Sequence, residues 1–165
     1  LQKKKIYILK YTQLSKEQLE SLHQEFAVFL ASQSIDKIEW ERIKKENPKL
    51  VSQEIQLFSD MVWEKVLERA SYLEHFTQNH IFLIHTKKEI FYSIIISTNQ
   101  KNIDFCEKEG LDWLEQNWNS NEIIFKTGHK IIESNPNHEI FELIKKGATI
   151  TNGDLYKKIN LILNP

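Results

Sequence analysis

Apolar residues at Leu19, Leu22, Phe26, Phe29 and Leu30 recur at three-to-four spacing, the mark of a helix that buries one face. Ser15-Lys-Glu-Gln18 stands just before them as a capping box: the hydroxyl accepts from an early amide, and Gln18 reaches back. The pattern fades near Ser32–Ser34. Asp36, with Glu39 three residues on, opens a short second helix through Trp40 and Ile43. That helix should stop by Asn47, because the ring of Pro48 pushes the residue before it out of helical geometry. Asn47 and Pro48 then suit the cap and first turn of a third, long helix. Its apolar stripe is Val51, Ile55, Phe58, Val62 and Val66, running to about Arg69.

Beyond Arg69 the period changes. Ile81–His85 and Ile90–Ile96 are rich in β-branched and aromatic residues and predict strands, joined by a turn at Thr86–Glu89. Tyr72–Phe76 and Ile123–Phe125 predict two more, and the unbroken run 94–96 predicts a strand covered on both faces. Leu111, Leu114 and Trp118 suit a short amphipathic helix, with Gly110 unfavourable at its start. Glu139–Lys146 reads as a helix capped at Gly147, and Thr151–Asp154 opens a last helix through Tyr156, Ile159 and Leu163. Runs of helix and then strand, without strict alternation, give an α+β fold. Three N-terminal helices are expected to precede a small antiparallel sheet with flanking helices and a C-terminal helical hairpin. Residues 1–10 read as an extended basic arm, with Ile6–Leu9 as a short edge strand behind Lys3–Lys5, and residues 11–165 as one domain.

Composition narrows the functions. A formal charge of -1 argues against a general polyanion binder, and Arg42 and Arg69 are the only arginines available to read guanine or grip phosphate as a fork. One cysteine, Cys106, excludes an internal disulfide framework and multi-cysteine zinc motifs. Four glycines leave little for a phosphate-cradling loop. The apolar run after Lys5 is too short for a signal peptide, which needs about 7–15 such residues. No stretch approaches the roughly 18 of a membrane span. A soluble cytoplasmic protein is the expectation.

The chemistry-bearing residues are scattered. Glu20 and His23 have the i, i+3 spacing of di-iron bundle ligands, but the motif occurs once and that site needs two with further glutamates. His75, His80 and His85 are spaced by five; on one strand such a step reverses the face, so His80 and His85 should point apart. Cys106 has no local signature of an activated nucleophile. No catalytic residue, cofactor or metal ligand is assigned. The final two helices outline a helix-turn-helix with Lys145, Lys146, Lys157 and Lys158 near the turn, yet the second helix has no arginine and few side chains suited to base edges.

Trp40, Trp113 and Trp118 lie on short, highly charged segments, and residues 104–122 hold six acids against one lysine. Exposed aromatics dominate protein interfaces. Trp40, Trp113 and Trp118 with Asp112 and Glu115 are therefore the expected partner-binding residues of a non-catalytic protein-interaction module. Two alternatives remain. One is a nucleic-acid- or ribosome-associated protein using the arm and the C-terminal lysines. The other is a metal protein or enzyme using Glu20, His23 and His75–His85.

Four stretches, Tyr11–Leu19, Leu57–Leu67, Tyr72–His75 and Gly147–Tyr156, resemble a family of short bacterial hypothetical proteins, a domain of unknown function. The resemblance spans about residues 10–163. It implies a single bacterial cytoplasmic domain beginning near Lys10-Tyr11, with residues 1–9 as an extension. It implies no activity, cofactor or site residue.

Overall fold

The computed structural model describes residues 8–165, so most of the expected arm lies outside them. Of the expected strand Ile6–Leu9 only Ile8 and Leu9 are described, and neither is in a regular element. The fold is α+β. Two compact units succeed one another, the first ending at Val66 and the second spanning Leu67–Pro165. Among the described residues, no helix is long and apolar enough to cross a membrane.

The first unit holds α1 (Lys16–Ser21), α2 (His23–Ser32), α3 (Lys37–Glu46) and most of α4 (Pro48–Arg69). Its starts are where the caps predict them. The Ser15 hydroxyl accepts from Gln18 N–H while Gln18 reaches back to Ser15 N–H. Asp36 accepts from Glu39 N–H at 2.8 Å. Asn47 accepts from Leu50 N–H at 3.2 Å, ahead of Pro48. One expected helix is two. Leu22 leaves helical geometry at φ -106°, ψ 23°. Beside it, His23 Nδ1 lies 3.0 Å from the Glu20 carbonyl, the oxygen a continuous helix needs for its own ladder. Phe26 then packs against Phe58 at 5.0 Å and meets the Trp40 ring edge-on at 5.5 Å.

The chain's entry into this unit is fixed by a polar clamp on α4. The buried Asp60 carboxylate accepts from the backbone N–H of Lys10 at 2.6 Å and of Tyr11 at 2.9 Å. The Ser59 hydroxyl accepts from Leu14 N–H at 3.0 Å. Glu64 accepts from the Tyr11 hydroxyl and from Lys10 Nζ, both at 2.6 Å. Burial, followed by the bond to Glu64, pushes the Tyr11 hydroxyl up to about 12. The Glu64 bond also raises Lys10. A raised folded-state value means stability that is complete below the unfolded value and lost as pH climbs through the folded one. Stability should therefore fall between about pH 10 and 12. Tyr11→Phe should flatten that fall, as followed by melting temperature against pH. An equal fall in the variant would remove Tyr11 as its cause.

The second unit is built on one sheet. Strands β1 (Tyr72–Phe76), β2 (His80–Lys87), β3 (Ile90–Thr98), β4 (Ile123–Ile131) and β5 (Thr149–Thr151) lie in the order β4-β3-β2-β1-β5, and every pairing is antiparallel. Strand alternation gives the sheet two faces. On one, Ile81, Leu83, Ile94 and Ile96 form a core with Phe105, Leu114 of α5 (Lys108–Asn117), and Tyr156 and Ile159 of α7 (Asp154–Leu163). On the other, Lys130 bonds Glu139 of α6 (Pro136–Lys145) at 2.7 Å. The expected C-terminal hairpin thus takes a different form: β5 stands between α6 and α7 and pairs with β1, with no helix-turn-helix. Within the run 94–96, Ile94 and Ile96 are buried and Ile95 is half-buried.

Candidate functional site

Register brings together residues that lie far apart in the chain. Tyr72 pairs with His85, His85 with Tyr92, and Tyr92 with His129. Paired residues in a sheet share a face. Four rings therefore form a row across four strands, on the face that α7 covers. Their centroids are 4.4, 6.3 and 6.2 Å apart in turn, and Tyr72 and His85 stack at 14°. Tyr156 of α7 caps the row, 5.6 Å from Tyr72 and 5.5 Å from His85. Gly153 makes this approach possible: a Cβ there would stand 2.3 Å from the Tyr72 ring, and its φ of +80° suits glycine alone at low cost.

The row passes from cover into an open groove of about 550 Å³ between α7 and strands β3 and β4. Tyr92, Phe125, Thr127 and His129 supply the sheet side, and Tyr156, Asn160 and Asn164 the helix side. Among the described residues, no carboxylate, lysine or arginine lines it. Burial, then Lys87 and Lys157, lowers His85, which favours the neutral imidazole. Burial raises Tyr156, with Tyr72 and Tyr92 adding to it. The groove thus offers ring faces, hydroxyls and amides to whatever enters.

The residues expected to bind a partner fall in different places. Trp40 belongs to the first unit, where it is half-buried and lines an apolar groove of about 350 Å³ with His23, Phe26 and Leu30. Trp113 turns inward and packs on the core of the second unit. Trp118 ends α5 and is 40% exposed. The two acids are engaged: Asp112 pairs with Lys108, and Glu115 with Lys158 of α7 at 3.0 Å.

The histidines separate by face. His75 and His80 stack on Phe82 at 5.9 and 5.8 Å, while His85 points to the other face with Tyr92. Glu20 and His23 are exposed. Among the described residues, no three of His, Cys, Asp and Glu gather so as to hold a metal ion. Cys106 is exposed, and desolvation, followed by the charge of Asp104, holds its thiol above the usual range. An acidic surround is the opposite of what activates a thiolate. Of the C-terminal lysines, Lys145 pairs with Glu142 at 2.7 Å, Lys158 with Glu115, and Lys157 stands 4.9 Å over the Tyr72 ring.

Sequence reasoning named His85 only as a metal candidate, weighed His129 only as a base for Cys106 and Asn160 only as a base-reading side chain, and passed over Tyr72, Tyr92 and Thr127 as site residues. Their common signal is register, which a single sequence carries only through its turns. No curated protein and no solved structure matches the chain. One family model does, from residue 9 to residue 164, which takes in the whole resemblance of Tyr11–Leu19 through Gly147–Tyr156. The chain belongs to that family, a family of unknown function (DUF6495).

Proposed function

We propose that the second unit is a binding module for a small, planar, uncharged organic ligand, held in the groove beside the ring row without chemistry at the protein. One observation carries this reading: the Tyr72–His85–Tyr92–His129 row emerges from beneath α7 into a concavity that no carboxylate, lysine or arginine of the described residues lines. Ring faces favour stacking against another flat group, and centroid spacings of about 4.5–7 Å are those of productive aromatic contact. Thr127, Asn160 and Asn164 add hydrogen-bonding edges that would orient such a group. The size falls within the range of small-molecule sites, about 300–1,000 Å³.

The test is an NMR titration of the full chain with adenosine, guanosine, cytidine and uridine as planar, uncharged probes. At least one should shift the resonances of Tyr92, Thr127, His129 and Asn160, and Tyr92→Ala should weaken its binding by about tenfold. If none of the four probes moves those resonances, the reading fails.

Protein docking is the second reading. It is favoured by Trp118, an indole left 40% exposed at the end of a charged helix, and by Trp40 on its apolar groove with Ile38 81% exposed close by in the chain. A bacterial cytoplasmic setting accompanies both readings, supported by the single free thiol and by the family resemblance.

A further inference from the structure

A long edge strand presents a row of unpaired backbone donors and acceptors, a template for another strand. Among the described residues, the sheet ends in β4 on one side, nine residues long, and in β5 on the other, only three. From Lys126 to Ile131 every residue of β4 is exposed. Two large apolar side chains stand out in water near its two ends, Ile124 at 40% and Ile131 at 63% exposure. We propose that β4 pairs antiparallel with β4 of a second copy of this chain, about a two-fold axis that runs normal to the sheet through Thr127.

Symmetry and charge select that register. A two-fold axis normal to the sheet keeps each face on its own side, so facing residues must belong to the same face. The axis must therefore pass through a residue. Placed on Lys126, it sets that lysine against its own copy. Placed on Gly128, it sets Lys126 against Lys130 at both symmetric positions. Like charges directly opposite destabilise a sheet. Placed on Phe125 or His129, it leaves nearly half the strand unpaired. On Thr127 the whole strand pairs and no like charges face each other.

That register makes Lys126 face Gly128, Lys130 face Ile124, His129 face Phe125, and Ile123 face Ile131, with Thr127 against its copy. Aromatic and Thr–Thr cross-strand pairs stabilise. The pairing also covers both exposed isoleucines, Ile131 under Ile123 and Ile124 under the methylene stem of Lys130. Lys130 brings its own counter-charge, since Glu139 holds it at 2.7 Å. The two five-stranded sheets then join into one. A strand of another protein could reach the same edge, but β4 is complementary to itself, and that commits the proposal to a second copy.

Gly128 allows a test in both directions. A Cβ there meets nothing nearer than Ser93 Oγ at 3.6 Å, an ordinary contact, so charged replacements fit the folded strand. Sedimentation velocity of the full chain over a concentration series should show a monomer of 19.7 kDa converting to a dimer of twice that mass. Gly128→Lys should weaken the dimer by about tenfold in Kd, because it sets lysine against Lys126 twice. Gly128→Glu should tighten it by about as much. Melting curves of both variants check that each is folded. A wild-type chain that stays monomeric to about 1 mM overturns the proposal. So does a dimer whose Kd responds alike, or not at all, to the two opposite charges.

Discussion

Gly110→Ala is expected to destabilise the protein by about 3 kcal/mol or more, against the usual direction of such a change. Inside a helix, alanine normally improves on glycine by roughly 0.5–1 kcal/mol. Gly110 lies in the first turn of α5, and a Cβ there would fall 1.8 Å from the backbone oxygen of Asp104 and 3.1 Å from Phe105 N. The obstacle is backbone, so no rotamer change relieves it. Nor can the loop easily retreat. Phe105 is fully buried and its N–H donates to the Gln78 carbonyl at 2.8 Å. Asp104 is held too, accepting from Cys106 N–H on its carboxylate at 2.8 Å. Moving either residue draws the Phe105 ring from the core. Urea denaturation of the full chain measures the effect, and a variant as stable as the wild type would mean that this loop yields after all.

The same glycine separates what was legible in the sequence from what was not. Its low helix propensity argues against a helix start at 110, yet α5 runs through it, because the close approach of another segment requires a residue without a side chain there. Features set by neighbours in the chain were legible. The Ser15 box, the Asp36 cap and the Asn47-Pro48 start each depend on residues within one turn, and each is where the pattern predicts it. So are the central strands, whose β-branched runs are buried whatever the topology.

Non-local terms decided the rest. The expected strand at Ile123–Phe125 continues to Ile131 through Lys126-Thr-Gly-His-Lys130, a polar run that an edge strand tolerates because one side faces water. Strand β5 has only three residues and exists by pairing with β1. The ring row failed for a finer reason. A turn at Thr86–Glu89 would set His85 opposite Ile90. The observed two-residue turn, Lys88-Glu89, sets Lys87 opposite Ile90 and so His85 opposite Tyr92. That turn needs a left-handed residue, and Lys88 takes φ +55° there, a conformation that lysine does not announce. The residues expected to bind a partner were only half legible. Helical period placed Asp112, Trp113, Glu115 and Trp118 along α5 and its end, but which indole faces the core depended on how α5 meets the sheet.

Asp60→Ala is the second large effect expected, about 2–4 kcal/mol of lost stability. The carboxylate is buried at 6% exposure and accepts from two successive backbone amides, Lys10 and Tyr11. Alanine leaves both donors without that acceptor, and an unsatisfied buried donor costs about 1–3 kcal/mol. The loss should also spread. Tyr11 places its hydroxyl on Glu64, and Leu14 N–H reaches Ser59, so freeing the Lys10–Tyr11 backbone loosens each later tie to α4. Asp60→Asn separates the terms, because its amide oxygen can still accept from one N–H while its amide nitrogen confronts the other. It should fall between the wild type and alanine in urea denaturation. If alanine and asparagine cost the same, the charge and not the pair of hydrogen bonds holds the segment. If neither costs anything, the segment before Ser15 is held by apolar contacts of Tyr11 and Leu14 alone, both of which are buried. Tyr11, Ser59, Asp60 and Glu64 all lie in the stretches that carry the family resemblance. The clamp therefore gives those stretches a structural reason to take the form they do, independent of any ligand.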